Sequence, residues 1–424
     1  ANSNDEVLRK IEDMQRQVQA QQEMITQLRS QLDEQRNTTT ETVRQEVETA
    51  VSKGLAQSGG SVLTLGKGIE GLTLTGDLRL RYESIDTDRE SDGDLKYKSR
   101  FRHRVRLGGV WKNPGENWEV GLGFEAGSGD GTSANDSWNQ SSVWESGSLY
   151  LDYAYAKHTF GDSGMSLTLG QQKNPWKHTF LTFDGDLRPT GATLAYANDL
   201  VFATVGAYNL RGDATVTGDT EQSLANMFGG QAGLKFKTDD LSALFALGFF
   251  HYDAETTEFS ATPPMSGYNY QIGTAYAEIG GKVGGVGLKA VGEFAMNFGA
   301  DNDYSQGNDF GKAPASLADY EPEDNDMAWT LGLQAKFDKF SASYAYAHIE
   351  GDSIPWFVSD SDFGVGALGS GRSINVQGHV LGLGYAVTKN FSLGATAMFT
   401  SLIEPAAGSD DDGTLFQFDA VYKF

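Results

Sequence analysis

From Ile69 to the C-terminus the chain alternates apolar and polar residues with a period of two, and the pattern is clearest at its end. Thr414 to Phe424 read T-L-F-Q-F-D-A-V-Y-K-F, with Phe416, Phe418, Ala420, Tyr422 and Phe424 on one face. Leu415, Gln417, Asp419, Val421 and Lys423 fall on the other. Successive side chains of a strand point to opposite faces, so this is a strand with one greasy and one mostly polar side. A sheet that separates lipid from water has to alternate in this way.

The alternation predicts about sixteen strands, beginning with Gly71–Glu83, Ser99–Trp111, Trp118–Ala126, Ser148–Phe160 and Met165–Gln172 and ending with Val376–Val387, Phe391–Leu402 and Thr414–Phe424. Their connections alternate in length. Turns such as Asn113–Glu116, Asn198-Asp199, Gly284-Gly285 and Asp338-Lys339 are short. Between them lie long polar connections such as Gly299–Asp326 and Glu350–Asn375. Short turns at one end and long loops at the other are the asymmetry of outer-membrane barrels. Proline cannot donate to a sheet ladder, and all nine prolines fall in connections. A propeller or solenoid would show a fixed repeat, and none is present. Trp118, Val120, Leu122 and Phe124 alternate with Glu119, Gly121, Gly123 and Glu125; Trp329, Leu331, Leu333, Ala335 and Phe337 alternate with Thr330, Gly332, Gln334 and Lys336. Charges in lipid are costly, so the second face of each run meets water. The expected fold is an all-β transmembrane antiparallel barrel of about 16 strands around a water-filled lumen, spanning 69–424.

Composition agrees. The 424 residues include 52 Gly and no Cys, which removes disulfides, thiol catalysis and thiolate metal sites together. No stretch approaches the roughly 20 apolar residues of a spanning helix. The net charge of -24 argues against nucleic acid as a partner. The start at Ala1 lacks a charged-then-apolar leader, as expected of a mature form whose signal peptide is gone.

Residues 1–57 follow another period. Asn4, Val7, Ile11, Met14, Val18, Gln21, Ile25, Leu28 and Leu32 step by three and four, the seam of a coiled coil. A lone amphipathic helix lying on a surface is the alternative, for which a seam two residues wide is narrow. Residues 58–68 read as a linker, with Gly59-Gly60 ending the helical segment.

Two features carry candidate chemistry, and both concern ion passage. Arg79 and Arg81 share one face of the first strand, and Arg100, Arg102, Arg104 and Arg106 one face of the second. They would line a wall with guanidinium groups, a lane for anions, or else pair with acids and brace the wall. On the opposite face, His103 is the exception among apolar residues and is placed near an interface. The connection between the fifth and sixth strands, Lys173 to Pro189, mixes Lys173, Lys177, His178, Asp184, Asp186 and Arg188 with Trp176, Phe180 and Phe183. It is either a constriction loop folded into the lumen or a packed surface loop. Asp301–Gly307 starts like an EF-hand, but Gln306 and Lys312 stand where Gly and Glu are needed. A Ca²⁺ role is thus confined to the acidic outer loops around Glu321–Asp324 and Asp410–Asp412. The six His show no ligand spacing, and no cofactor motif or hydrolase motif occurs, so the chain is not read as an enzyme.

A heptad segment, a linker and a barrel ending in Tyr422 and Phe424 resemble bacterial outer-membrane porins. The terminal Phe is similar to their C-terminal insertion signal. The plan is nearest to the "putative porin" and phosphate-selective porin families, which carry periplasmic coiled coils before the barrel. The resemblance implies a bacterial outer-membrane location with the coiled coil in the periplasm, contact with lipid and lipopolysaccharide, a homotrimer, and passive diffusion of ions and small hydrophilic solutes. The lysine-rich specificity site of the phosphate porins is not evident in the sequence. Residues 1–60 hold 7 Lys and Arg against 10 Asp and Glu, leaving 26 against 47, a net of -21, for the rest. The alternative function is a structural tether, with the coiled coil gripping peptidoglycan or a periplasmic protein and the channel secondary.

Overall fold

The computed structural model describes residues 71–424 apart from 89–95, 114, 128, 130, 212–214, 218–219, 223–224, 254–269, 302–320, 369–372 and 405–411. The coiled-coil segment 1–57 with its seam, and the linker 58–68, lie outside the described residues.

Sixteen strands build the barrel. They are β1 (Leu72–Asp88), β2 (Lys96–Asn113), β3 (Trp118–Ala126), β4 (Leu149–Thr159), β5 (Met165–Gln171), β6 (Thr190–Ala197), β7 (Val201–Arg211) and β8 (Ala225–Lys237). Then come β9 (Leu241–Asp253), β10 (Tyr270–Val283), β11 (Val286–Asn297), β12 (Met327–Phe337), β13 (Phe340–Ile349), β14 (Val376–Ala386), β15 (Phe391–Leu402) and β16 (Asp412–Lys423). Each pairs with its neighbours in sequence, and β1 pairs with β16, so the sheet closes. A two-residue segment, Asp136–Ser137, adds to β2 beyond the end of the shorter β3.

Closure follows from the solvent. Lipid offers no hydrogen bonds, so an open edge in the membrane would leave a row of unpaired backbone groups. The seam runs antiparallel from Asp77 opposite Lys423 to Asp88 opposite Asp412. Phe424 extends it: its backbone N–H donates to Gly76 and its carbonyl accepts from Gly76, both at 3.0 Å. The Phe424 ring covers Gly76, where a Cβ would come within 2.6 Å of both the ring and the Arg106 carbonyl oxygen.

Alternation sorts the side chains as expected. Leu78, Phe101, Leu122, Phe245, Leu331, Leu383 and Phe418 face outward and are exposed, while Arg81, Gln231, Thr274, Glu293, Thr330 and Gln417 face inward and are buried. One end of the barrel carries tight turns. At Gly284-Gly285 both residues have positive φ, 58° and 84°, as a two-residue hairpin turn matching the strand twist requires. The other end carries the long connections. Two of these, 172–189 and 350–375, put their apolar side chains inside the barrel. Trp176, Leu181 and Phe183 of the first and Ile354, Val358, Phe363 and Ile374 of the second form one core with Tyr208, Met227, Phe250, Tyr252, Ile272 and Ala295 of the inner wall.

Gly76→Ala should strain the seam by about 1–3 kcal/mol, the usual cost of inserting a methyl where there is no room. The expected outcome is a lower urea midpoint for the refolded barrel in detergent. An unchanged midpoint would mean that the Phe424 ring is not seated on Gly76.

Candidate functional site

All six arginines face the lumen, and each is met by a specific partner. Arg81 makes a two-pronged contact with Asp419, Nε at 2.7 Å and Nη2 at 2.8 Å, and reaches Asp362 at 3.2 Å. Glu83, nearly inaccessible, takes Arg100 at 2.5 Å and Arg102 at 3.3 Å. Arg104 pairs with Asp77 at 2.8 Å, and Arg106 with Glu125 at 3.2 Å and Asp186 at 2.5 Å. Arg79 donates to the Asn135 side-chain oxygen. A guanidinium presents a rigid fork of donors, so one arginine can serve two carboxylates at once. The wall is thus a lattice of alternating charge. Where Arg106 meets Asp186, the opposed charges touch, with no aqueous gap between them.

The connection 172–189 is held from inside. Gln231 on β8 receives the Lys177 backbone N–H at 2.7 Å and donates to the Lys177 carbonyl at 2.8 Å. Buried Glu293 on β11 accepts from the Thr179 backbone N–H at 2.5 Å, the Thr179 hydroxyl at 2.6 Å and the Thr182 hydroxyl at 2.6 Å. Arg188 pairs with Asp152 at 2.6 Å, and Lys173 lies over the Tyr153 ring. His178 Nδ1 lies 2.7 Å from the Thr179 carbonyl oxygen, and burial lowers its pKa. Trp176 packs edge-on against Tyr208 and Phe250.

The second inward connection, 350–375, has in sequence the composition of a long polar loop. Its signal was the apolar content of Ile354, Trp356, Phe357, Val358 and Phe363 between polar residues. The two loops clasp. The Asp184 backbone N–H donates to the Val358 carbonyl at 2.8 Å, and the Asp184 carboxylate accepts from the Ser361 N–H at 2.8 Å. Ser361 Oγ donates to the Thr132 carbonyl at 2.9 Å, tying in the connection after β3. Asp360 Oδ1 accepts from the N–H groups of Asp362 and Phe363 at 3.0 and 2.7 Å. Asp362 also takes Gln417 Nε2 at 3.0 Å. Outside the lumen, Trp138 Nε1 donates to His103 Nδ1 at 2.7 Å, placing His103 in an outer aromatic patch with Phe101. Among the described residues no group of acids and histidines is arranged to hold a metal ion.

The clasp carries opposing pH dependences. Burial raises the Asp184 pKa to about 6, with Asp186 adding to the effect. Burial also raises that of Asp360, reinforced by Asp362 of its own loop and Asp184 of the other. Asp186 beside Arg106 and Asp362 beside Arg81 are pulled below the ordinary carboxylate value of 3.8, despite burial. A carboxyl that binds its proton more tightly when docked favours docking at low pH and loses that support as pH rises through the raised value. A carboxyl with a lowered pKa supports docking above the ordinary value and loses it in acid. Docking should therefore be firmest near pH 4 and weaken as pH rises from there through about 6. Mean conductance should rise from pH 4 to pH 7, and Asp184→Asn should flatten that rise; a flat wild-type profile would overturn this reading.

Residues 92–271 match the protein family described as "Putative porin". No curated protein matches the sequence. Among solved structures, the high-pH structure of Pseudomonas putida OprB is similar over 87% of this chain and 99% of that one, at 13% identity and a TM-score of 0.54. The anion-selective porin from Comamonas acidovorans is similar over 83% of this chain and 99% of that one, at 14% identity and a TM-score of 0.48. Vibrio cholerae OmpT is similar over 83% and 97%, at 11% identity and a TM-score of 0.46.

Proposed function

We propose that the chain is a bacterial outer-membrane porin, a diffusion channel for ions and small hydrophilic solutes narrowed by the two inward loops, a reading supported by the family match over residues 92–271 and by the barrel fold. The observation that carries this is the sorting of one closed sheet into an apolar outer face and an inner face of charged and hydroxylic groups. Solute passes beside the contacts that tie the clasped loops to the arginine lattice, Arg106 to Asp186 and Arg81 to Asp362. There Arg79, Arg104 and Arg106 bias permeation toward anions, and Asp184 and Asp186 oppose them from the loop side. The reading is tested by stepwise conductance of the purified protein in planar bilayers; its absence would refute the channel.

The role of the arginines is tested separately. Arg102→Ser with Arg104→Ser leaves Glu83 and Asp77 with fewer cationic partners, so the lumen becomes more negative. Lumen-facing substitutions mainly tune selectivity, so the barrel should stay folded. The cation-to-anion permeability ratio, from reversal potentials in a salt gradient, should rise. An unchanged ratio at normal conductance would make these arginines wall braces only.

The assembly proposed is a homotrimer whose subunits each form a channel, the heptads of 1–57 joining them in the periplasm. Support for it is the seam Ile11, Val18 and Ile25, which suits two or three strands. Native mass spectrometry in mild detergent should give a trimer, and a stable monomer or dimer would count against it.

A further inference from the structure

The lumen face of β1 carries a carboxylate among its arginines. Glu83 is 1% exposed, and both of its oxygens are taken. Oε1 accepts from Arg100, with Nε at 2.6 Å and Nη2 at 2.5 Å. Oε2 accepts from Arg102 Nη1 at 3.3 Å and from Gln417 Nε2 at 3.2 Å, and Arg81 Nη1 lies 4.0 Å away. Alternate residues of a strand share a face, so Glu83 stands beside Arg81 and meets the arginines of β2 on the lumen side.

The other acids of the wall are placed differently. Asp77, Glu125, Asp186, Asp362 and Asp419 are 14% to 26% exposed, and each pairs with one arginine among the described residues. Arg81 and Arg106 draw on two such acids apiece. For Arg100 and Arg102, Glu83 is the sole acidic partner among the described residues. Arg102 otherwise donates to neutral oxygens, the Ser133 hydroxyl at 3.2 Å and the Asn135 carbonyl at 3.4 Å. One covered carboxylate therefore serves two guanidinium groups that have no other counter-charge.

We propose that Glu83 is the residue that sets the charge preference of this pore, restraining it from strong anion selectivity. The proposal rests on the channel reading and deepens it. By taking Arg100 and Arg102, Glu83 cancels one of their two charges and holds both guanidinium groups against the wall, so that solute meets the other arginines first. Charge-assisted hydrogen bonds fix such a cluster in place, and the field of a paired charge falls off faster than that of a bare one. Glutamine at this position would keep the shape and one acceptor oxygen but remove the negative charge. Arg100, at 22% exposure the more accessible of the two, would then present its charge to the lumen. A unit charge in water acts on a monovalent ion about 7 Å away with an energy of about RT, enough to raise anion occupancy roughly threefold and lower cation occupancy as much.

The test is the reversal potential of the full-length protein in planar bilayers under a potassium chloride gradient, for the wild type, Glu83→Gln, Glu83→Asp, Arg100→Gln and the double variant Glu83→Gln with Arg100→Gln. Glu83→Gln should raise the anion-to-cation permeability ratio roughly threefold or more near 0.1 M salt, where the Debye length is about 10 Å, and much less near 1 M, where it is about 3 Å. Glu83→Asp keeps the charge and should move the ratio far less. Arg100→Gln should shift the ratio toward cations, and the double variant, which loses one charge of each sign, should return it toward the wild type. If Glu83→Gln alone does not fold, the double variant compared with Arg100→Gln reads the same charge. A ratio unmoved by Glu83→Gln, moved equally by Glu83→Asp, or identical in the double variant and Arg100→Gln would overturn the proposal. Normal conductance steps with an unmoved ratio sink the role of Glu83 alone, whereas no steps from the wild type sink the channel reading and this proposal with it.

Discussion

A lipid core contains no water, so each backbone N–H and C=O that enters it must find a partner within the protein. The sixteen-stranded ladder meets that demand only because β1 and β16 pair along twelve residues, with Phe424 locking onto Gly76 beyond them. Closure fixes an inside and an outside, and the pleat then assigns alternate residues to each. The exposed Leu, Phe and Trp side chains of the outer face follow from this, and so does the collection of Arg, Glu, Asp, Lys and Thr on the inner one.

The inner wall is not uniform, and its division explains where the loops go. Toward the loop end, β8–β11 present Met227, Phe250, Tyr252, Ile272 and Ala295 inward, an apolar surface that open water would disfavour. The loops 172–189 and 350–375 cover it with Trp176, Leu181, Phe183, Ile354 and Phe363. Opposite lies the guanidinium lattice of β1 and β2, too polar to be covered in that way, and there the loops present Asp186 and Asp362 instead. One side of each loop is thus held by burial and the other by charge.

Much of this architecture was legible in the sequence and some was not. Alternation is local, so the strands, the lipid face and the lumen-facing arginines could be read from neighbouring residues alone. The partners of those arginines could not, because Asp419 and Asp362 are brought to Arg81 by barrel closure and loop folding across more than 280 residues. The connection 172–189 stood out for its Trp and Phe amid charges. The connection 350–375 did not, because its apolar residues are diluted by Ser, Gly and Asp and its fate depends on a wall assembled from distant strands. The extension of β1 to Asp88 and of β2 back to Lys96 was also missed, since the polar ends of these strands project beyond the alternating stretch.

The same nonlocality governs the balance of charge. The barrel portion is strongly acidic as a whole, yet the arginine lattice is close to neutral in its pairings. Much of the acid lies in the connections between strands, while the lumen wall carries its cations on the strands themselves. Net charge therefore says little about what a solute meets inside. A strand holds the backbone of each lumen-facing lysine in register between two ladders, so its charge stays within the confined lumen. Selectivity in such a pore is set by which charges the register fixes in place, and the count of charges along the chain has only a minor part in it.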